Sequence, residues 1–243
     1  MKYFGLTDKG KIRNSNQDCF EITEIKGGVI AVICDGMGGA KAGDIASSLA
    51  AKTFSEYLKE KTQKQLKSET EYRTLLQSAC DEANGVVFNY SCFDVRYNGM
   101  GTTLVGGFIM PGHAHLVNVG DSRAYVLTKK KIVQISEDHS LVAEMLKRGE
   151  ITEKEAWHHP QKNIITNALG LEDALSVDYF HEALKRGSRI MLCSDGVTNL
   201  LRDEEILEIS RANADVETFC RQIMKRSLAL NAPDNVTVLA VQV

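Results

Sequence analysis

Short apolar runs alternate with longer amphipathic stretches along this chain of 243 residues. The apolar runs have the length and β-branched content of strands. They predict strands near 2–7, 18–25, 28–34, 101–109, 113–119, 122–128, 131–135, 176–183, 188–193 and 235–242. Turn-forming residues separate the four strands between 101 and 135, and this pattern favours an antiparallel meander there.

Two long segments, near 44–60 and 69–91, repeat apolar residues at i, i+3, i+4 and i+7. This spacing is typical of a helix with one buried face. A second pair of helical patterns occupies about 203–210 and 215–230. Because a helix pair covers one face of a sheet, we expect an α+β fold. It would be a four-layer α/β/β/α sandwich of two antiparallel sheets flanked by helix pairs.

Composition indicates one ordinary globular domain covering residues 1–243. The chain is 43% hydrophobic and 25% charged, and it has only three prolines and no linker-like tract. No apolar run approaches the roughly 18 residues of a membrane helix, and no signal segment opens the chain. We therefore expect a cytoplasmic protein without membrane contact. The net charge of −3 gives no electrostatic case for a nucleic-acid partner.

The cysteines and two of the histidines are interpreted as packing residues. The six cysteines contain no C-x-x-C pair and are expected to be small buried hydrophobes in a reducing compartment: Cys19, Cys34, Cys80, Cys92, Cys193 and Cys220. His113 and His115 share one face of a predicted strand. Nothing near them in the sequence offers further metal ligands, so a surface or packing role is expected.

Four aspartates occupy turns that directly follow or precede strand-like runs. They are Asp35, Asp121, Asp195 and Asp234. Each one alone is ordinary turn chemistry. If the sheets bring the four together, however, their charges repel one another strongly unless cations lie between them. Carboxylate oxygens suit hard divalent ions such as Mg²⁺ or Mn²⁺, so the set favours a metal site.

Seven motifs follow one another in a fixed order between about residues 5 and 240. They are Arg13-Asn-Ser-Asn16-Gln17-Asp18, Cys34-Asp35-Gly36-Met37-Gly38-Gly39, Met100-Gly101-Thr102-Thr103-Leu104, Val119-Gly120-Asp121-Ser122-Arg123-Ala124-Tyr125, Asp138-His139-Ser140, Cys193-Ser194-Asp195-Gly196 and Asp234-Asn235-Val236-Thr237-Val238. Each is weak alone, but the ordered set resembles the metal-dependent protein phosphatases of type 2C, and their bacterial branch in particular. The resemblance implies the four-layer sandwich and the hydrolysis of phosphoserine and phosphothreonine in proteins.

The resemblance also implies a set of metal ligands. Asp35 matches the carboxylate that bridges two metals, and Asp195 and Asp234 match further ligands of the first. The backbone carbonyl of Gly36, and Asp18 through water, match ligands of the second.

Further roles are carried over in the same way. Arg13 matches the arginine that grips the substrate phosphate, and with Asp35 and Asp195 it forms the expected catalytic set. Asp121 matches the residue that, together with Asp195, holds a third and weaker metal. The segment 139–170 corresponds to a mobile flap beside the catalytic groove.

The expected activity is hydrolysis by a metal-activated water, with Mn²⁺ or Mg²⁺ at two tight sites and one weaker site. The expected partners are phosphorylated proteins and a cognate Ser/Thr kinase that the enzyme opposes, and the protein is expected to act as a monomer. Met37 stands where many eukaryotic relatives have a histidine proposed as general acid, so the sequence does not identify that acid.

Two other readings of the same fold are a catalytically inactive phosphoprotein-binding module and a small-molecule phosphatase. An inactive module would be expected to lack a metal aspartate or the phosphate arginine, and none of these is missing.

Overall fold

The computed structural model describes residues 1–38, 42–62 and 66–243, and Gly39 of the second motif lies outside these ranges. The strands are β1 (Lys2–Asp8), β2 (Asp18–Ile25), β3 (Gly28–Met37), β4 (Gly101–Thr102), β5 (Leu104–Met110), β6 (His113–Val119), β7 (Arg123–Leu127), β8 (Ile132–Gln134), β9 (Asp178–Ala183), β10 (Arg189–Cys193) and β11 (Val236–Gln242). The helices are α1 (Gly43–Lys61), α2 (Glu69–Phe93), α3 (Leu141–Lys147), α4 (Glu153–Trp157), α5 (Asp195–Thr198), α6 (Asp203–Ala212) and α7 (Val216–Ala229). A single 3₁₀ turn, Val95–Tyr97, follows α2.

The strands form two antiparallel sheets. Sheet A has the order β1-β11-β10-β7-β8, and sheet B has the order β2-β3-β5-β6-β9, with β4 paired to the end of β3. Sheet A therefore places the first and last strands of the chain side by side, with Lys2 opposite Gln242.

Three apolar layers separate four layers of secondary structure, and this confirms the predicted sandwich. Between the sheets lie inward-facing side chains such as Val105 of sheet B and Leu192 of sheet A. The opposite face of sheet B packs on α1 and α2, where Phe54 and Leu76 are fully buried. The opposite face of sheet A packs on α5 and α7, where Phe219 is fully buried.

The predicted meander over 101–135 is wrong, because its strands are divided between the sheets. β5 and β6 belong to sheet B, whereas β7 and β8 belong to sheet A. The chain crosses between the sheets at Gly120, whose φ of +101° is rarely adopted by residues with a side chain. A Cβ there would also lie 2.5 Å from the methyl group of Thr103. The pattern of apolar residues located the four strands but contained no information on which sheet each one joins.

The segment 139–170, which the resemblance identified as a flap, contains two short helices, α3 and α4. Thr152 and Glu155 form a reciprocal capping box at the start of α4. Backbone hydrogen bonds tie the segment to the sandwich at both ends, from Leu141 N to Ile164 O and between Thr102 and Leu169. No helix in the described ranges has the length and apolar content needed to cross a membrane.

The six cysteines are free thiols, as predicted. Four of them are buried, in agreement with the prediction, but Cys92 is exposed near the end of α2 and Cys19 is only partly buried. Cys92 occupies the polar face of a helix whose apolar positions lie elsewhere, so its predicted burial is wrong.

His115 lies in an aromatic cluster between sheet B and α2. Its ring stacks on Tyr72 at a centroid distance of 3.9 Å and on His181 at 4.4 Å, and its Nδ1 lies 2.6 Å from the hydroxyl of Tyr179. His115 is only 3% exposed, and burial, followed by the charges of His181 and His113, lowers its pKa to about 4. The packing role is therefore confirmed, although His181 is a potential ligand that the sequence did not reveal.

We expect His115 to destabilise the fold in mild acid. The depressed pKa means that the unfolded chain takes up a proton below pH 6.5 while the folded chain does not, so stability falls as the pH drops from 6.5 toward 4. The loss attributable to His115 between pH 7.5 and pH 5 should be about 1–2 kcal/mol. Urea unfolding of wild type and His115→Phe at both pH values measures it, because phenylalanine keeps the stacking and cannot be protonated.

The other groups around His115 are unchanged between wild type and His115→Phe. They are His113, Tyr72, Arg73, Glu69, Tyr179 and His181. His113→Phe, in the same cluster but less buried, serves as the matched control. An acid-dependent loss of the same size in wild type and His115→Phe would contradict the assignment.

Candidate metal centre

Six of the seven residues predicted to form the site line one cavity of about 440 Å³ where the two sheets meet. The cavity opens beside the end of β3, the end of β10, the start of β11 and the β6–β7 turn. The six residues are Arg13, Asp35, Gly36, Asp121, Asp195 and Asp234. The seventh, Asp18, does not line the cavity and is buried nearby, opposite Asp35 in the β2–β3 pair.

Asp35 is held by its backbone at the end of β3. Its N–H donates to Thr103 Oγ1 at 2.9 Å, and its carbonyl accepts from Thr102 Oγ1 and from Thr103 N, each at 2.9 Å. Thr103 Oγ1 is in turn 2.8 Å from Ser122 Oγ of the β6–β7 turn. The backbone of Asp35 is therefore fixed while its carboxylate faces the cavity. Through these contacts Thr102 and Thr103 support the site.

Asp18 joins the two sheets beneath the cavity. Its Oδ2 accepts hydrogen bonds from Ser194 Oγ at 2.7 Å and Thr237 Oγ1 at 2.6 Å, and both donors belong to sheet A or its continuation. Its Oδ1 is buried and has no hydrogen-bond partner. Burial raises the pKa of Asp18 to about 7, against the lowering effect of the two hydroxyl donors.

Asp195 follows β10 and begins the single turn of α5. Its Oδ2 accepts from Asn199 Nδ2 at 2.8 Å, one turn later in the chain, whereas its Oδ1 is buried without a partner. Burial, followed by the charge of Asp234, raises the pKa of Asp195 to about 6.

Asp35 and Asp121 experience the same crowding. Burial and then the charges of Asp18 and Asp195 hold the pKa of Asp35 well above its usual value. Burial and the charge of Asp195 do the same to the pKa of Asp121. Each carboxylate is thus less easily ionised than in water, because like charges share a poorly solvated space.

Arg13 and Asp234 form an ion pair at the mouth of the cavity. Arg13 Nη2 donates to Asp234 Oδ2 at 2.8 Å, and the other oxygen of Asp234 accepts from Asn235 N. Arg13 is half exposed and uses one of its five donors in this bond. The hydrogen bond to Asp234 raises the pKa of Arg13, so the guanidinium stays charged beside the carboxylates.

Asp121 is positioned by the turn that crosses between the sheets. His139 supports this turn on both sides: its N–H donates to Gly120 O, and its Nδ1 accepts from Gly120 N at 3.2 Å. Its Nε2 lies 3.1 Å from Asp178 Oδ2 at the start of β9. Asp121 and Asp195 also line a neighbouring cavity of about 370 Å³ under the flap, so they separate two compartments.

Gly36 lies where no side chain fits. A Cβ at this position would be 1.9 Å from the carbonyl oxygen of Gly43 and 2.7 Å from that of Gln17. Gly36 N also donates to Gln17 O at 3.0 Å. The close packing around Gly36 brings its backbone to the wall of the cavity.

The donor set fits hydrated divalent cations. Two buried carboxylate oxygens, Asp18 Oδ1 and Asp195 Oδ1, have no hydrogen-bond partner, and the crowded carboxylates need positive charge to ionise at neutral pH. Within the described ranges, no three Asp, Glu, His or Cys side chains are arranged to enclose an ion by themselves. Ions such as Mg²⁺ and Mn²⁺ suit this arrangement, because Mg²⁺ in particular keeps several water ligands between itself and the protein.

Several supporting residues received no role from the sequence. Ser194 and Thr237 hold Asp18, Asn199 holds Asp195, and His139 holds the turn before Asp121. Asn235 also ties the site together, since its side chain accepts from Gln17 N and donates to Lys9 O and Ser15 O. Most of these residues lie within four positions of a motif aspartate, and this proximity is the sequence feature that could have identified them as supporting residues. The flap contributes Asn163 and Ile165 to the cavity wall.

Comparisons with known proteins agree with this geometry. The family model described as Protein phosphatase 2C matches residues 11–232. The serine/threonine phosphatase stp of Listeria monocytogenes is 38% identical over 237 residues, covering 97% of this chain and 93% of the relative.

Solved structures give the same result. The serine/threonine phosphatase Stp1 from Staphylococcus aureus superposes with a TM-score of 0.90 at 33% identity, covering 100% of this chain and 94% of that one. The catalytic domain of the phosphatase PstP, solved with two manganese ions, has a TM-score of 0.85 at 28% identity, with coverage of 99% and 97%. The chain therefore belongs to the protein phosphatase 2C family and is a serine/threonine protein phosphatase of the kind found in bacteria.

Proposed function

We propose that this phosphatase removes phosphate from serine and threonine side chains of proteins in a single step, with Mn²⁺ or Mg²⁺ held by Asp35, Asp195, Asp234, Asp18 and the carbonyl of Gly36. The observation that carries the proposal is the cavity itself, in which four carboxylates face one arginine. Asp195 on its wall and Asp18 buried beside it each have one buried carboxylate oxygen without a hydrogen-bond partner. Divalent cations bound there would lower the pKa of a water molecule and neutralise the charge that develops on the phosphoryl oxygens.

The chain's own residues orient the reacting groups. Asp35 is fixed at its backbone by Thr102 and Thr103, so its carboxylate keeps one position between the two sheets. Arg13 uses one donor for Asp234, which leaves two parallel N–H groups available for two oxygens of a phosphoryl group. Met37 lines the cavity and carries no transferable proton, so we propose that the leaving oxygen is protonated by water.

The substrate side of the proposal follows from the cavity's surroundings. Residues 1–243 are proposed to form one catalytic domain, and the segment 139–170 to act as a flap that contacts the protein substrate, since Asn163 and Ile165 form part of the wall. Phosphoserine and phosphothreonine are products of protein kinases, so the enzyme is proposed to oppose such a kinase. The enzyme is also proposed to act as a monomer.

Asp35→Asn should lower kcat on a phosphothreonine peptide by at least about a hundredfold, because the carboxylate between the proposed metals is lost. Wild type should lose all turnover in EDTA and recover it with Mn²⁺. Asp81→Asn, an exposed aspartate on α2, is the matched control and should leave kcat unchanged. Parallel assays with p-nitrophenyl phosphate and a phosphopeptide separate a protein phosphatase from a small-molecule phosphatase.

The same variant tests the crowding of carboxylates without any assay of activity. A raised pKa in the folded state means that Asp35 contributes stability below its unfolded pKa and loses it as the pH rises through the folded value. In EDTA at pH 8, Asp35→Asn should therefore melt at the same temperature as wild type or higher, and Mn²⁺ should raise its Tm less. A clear drop in Tm for metal-free Asp35→Asn would contradict the proposed repulsion.

Arg13→Ala should raise KM and weaken inhibition by inorganic phosphate by about tenfold or more, because a bidentate contact to the phosphate is removed. Its effect on activation by Mn²⁺ should be small or favourable, since Asp234 is released from its ion pair. Arg13→Lys keeps the charge without the paired donors, so its KM and its inhibition by phosphate should lie between those of wild type and Arg13→Ala. Unchanged KM and phosphate inhibition in Arg13→Ala would rule out the clamp.

Asp121→Ala should raise the Mn²⁺ concentration for half-maximal activity while two tighter ions remain bound by calorimetry. The reason is that Asp121 and Asp195 jointly line the space between the two cavities, where a third, weakly held ion is proposed. Asp173→Ala, at an exposed position outside both cavities, is the control. A fully active Asp121→Ala enzyme with unaltered metal dependence would leave Asp121 as a turn residue only.

A further inference from the structure

A third cavity lies at the far end of the two strands that lead to Asp121 and Asp195. It has a volume of about 400 Å³. Its lining includes Leu127, Lys129, Arg189, Ser210, Arg211 and Ala214, and it is called the basic cavity below. Leu127 ends β7 and pairs with Arg189, which begins β10. The basic cavity is therefore about 14 Å from the catalytic end, measured along four residue steps of either strand.

Arg189 carries a buried charge without a carboxylate partner. The residue is only 5% exposed, and its guanidinium lies 4.4 Å from the centre of the Phe219 ring. Its Nη atoms donate to Ser210 Oγ and to the carbonyl oxygens of Asn213 and Ala214, all of which are neutral, and its Nε has no partner. Neutral acceptors satisfy donors but leave the positive charge in place.

Arg211 adds a second fixed guanidinium at the rim. It donates from Nε to Lys129 O and from Nη2 to Lys130 O, each at 2.9 Å, so the β7–β8 turn holds it through backbone carbonyls. Neither Arg211 nor Lys129 forms an ion pair with any carboxylate in the part of the chain that the structure describes.

No acidic side chain is among the described residues that line the basic cavity. A nearby carboxylate that acts on Arg189 is Asp215, which is already used as the cap of α7, where it accepts from Thr218 N and Oγ1. Three positively charged residues thus line a space that has no acidic residue among its described lining, on a protein whose net charge is −3.

We propose that the basic cavity binds the phosphate group of a phosphomonoester. Arg211 keeps an Nη1/Nη2 pair of donors for two phosphate oxygens, because its carbonyl contacts use Nε and one Nη2 hydrogen. Arg189 contributes mainly its uncompensated charge, and the ammonium group of Lys129 adds a mobile contact. The volume exceeds that of a bare ion and falls within the range of small-molecule sites. Leu127 and Ala214 supply apolar surface for the organic part of the ligand, which is either a small metabolite or a phosphorylated side chain of a protein. This proposal does not depend on the catalytic roles assigned above.

The test is a titration of EDTA-treated protein followed by ¹H–¹⁵N NMR, first with inorganic phosphate and then with O-phosphoserine and a phosphoserine peptide. Without metal, the catalytic cavity is dominated by carboxylates and should not hold these anions. Saturable shifts are expected at the amides of Gly187, Lys129 and Ala214, with little change at Gly36. Lys129→Gln/Arg211→Gln should weaken binding by about tenfold.

The control is Lys26→Gln/Lys154→Gln, which removes the same charge at exposed positions outside the basic cavity and should bind like wild type. Arg189→Met should abolish binding. If the Arg189→Met protein does not fold, Lys129→Gln/Arg211→Gln still tests the proposal. Tighter binding of the peptide than of O-phosphoserine would identify a protein ligand, and equal binding a small one. Shifts that do not saturate, or that survive in Lys129→Gln/Arg211→Gln, would overturn the proposal.

Discussion

Buried Asp18 and half-buried Asp35 and Asp195 lie close together where the two sheets meet, and the surrounding structure has to offset their mutual repulsion. The offsets are specific. Ser194 and Thr237 donate to one oxygen of Asp18, Asn199 donates to Asp195, and the threonine pair fixes the backbone of Asp35. One oxygen each on Asp18 and Asp195 has no hydrogen-bond partner. The apolar layers on either side keep the strands from separating under this repulsion.

Much of the fold follows from patterns that are local in sequence. The strands and the long helices are found close to their expected positions because each carries its own periodicity, as in α2 and β3. The assignment of β7 and β8 to sheet A does not follow, since it depends on one left-handed glycine, Gly120, rather than on the apolar residues of the strands. The short helix α5 was missed for a related reason: a single turn has too few residues to show a period.

The site was predictable as a set of residues and not as a geometry. The motif aspartates can be recognised in the sequence because they lie at the ends of predicted strands. The hydrogen-bond partners of Asp18 cannot, because they lie 176 and 219 residues away along the chain. The net charge was likewise a poor guide to binding sites, because it does not show which charged residues the fold brings together. A net charge of −3 conceals carboxylates gathered at one end of β7 and β10 and guanidinium groups gathered at the other. Only the antiparallel register of these two strands reveals that separation.

The pairing of β1 with β11 has a consequence for how the enzyme is made. β11 lies between β1 and β10, so sheet A stays divided until the residues up to about 242 have left the ribosome. Asp234 directly precedes this strand and its ion-pair partner Arg13 follows β1, so 221 residues separate the two along the chain. Loop closure over such a separation is slow compared with local folding. The cavity that contains Arg13 and Asp234 can therefore assemble only after synthesis has passed β11.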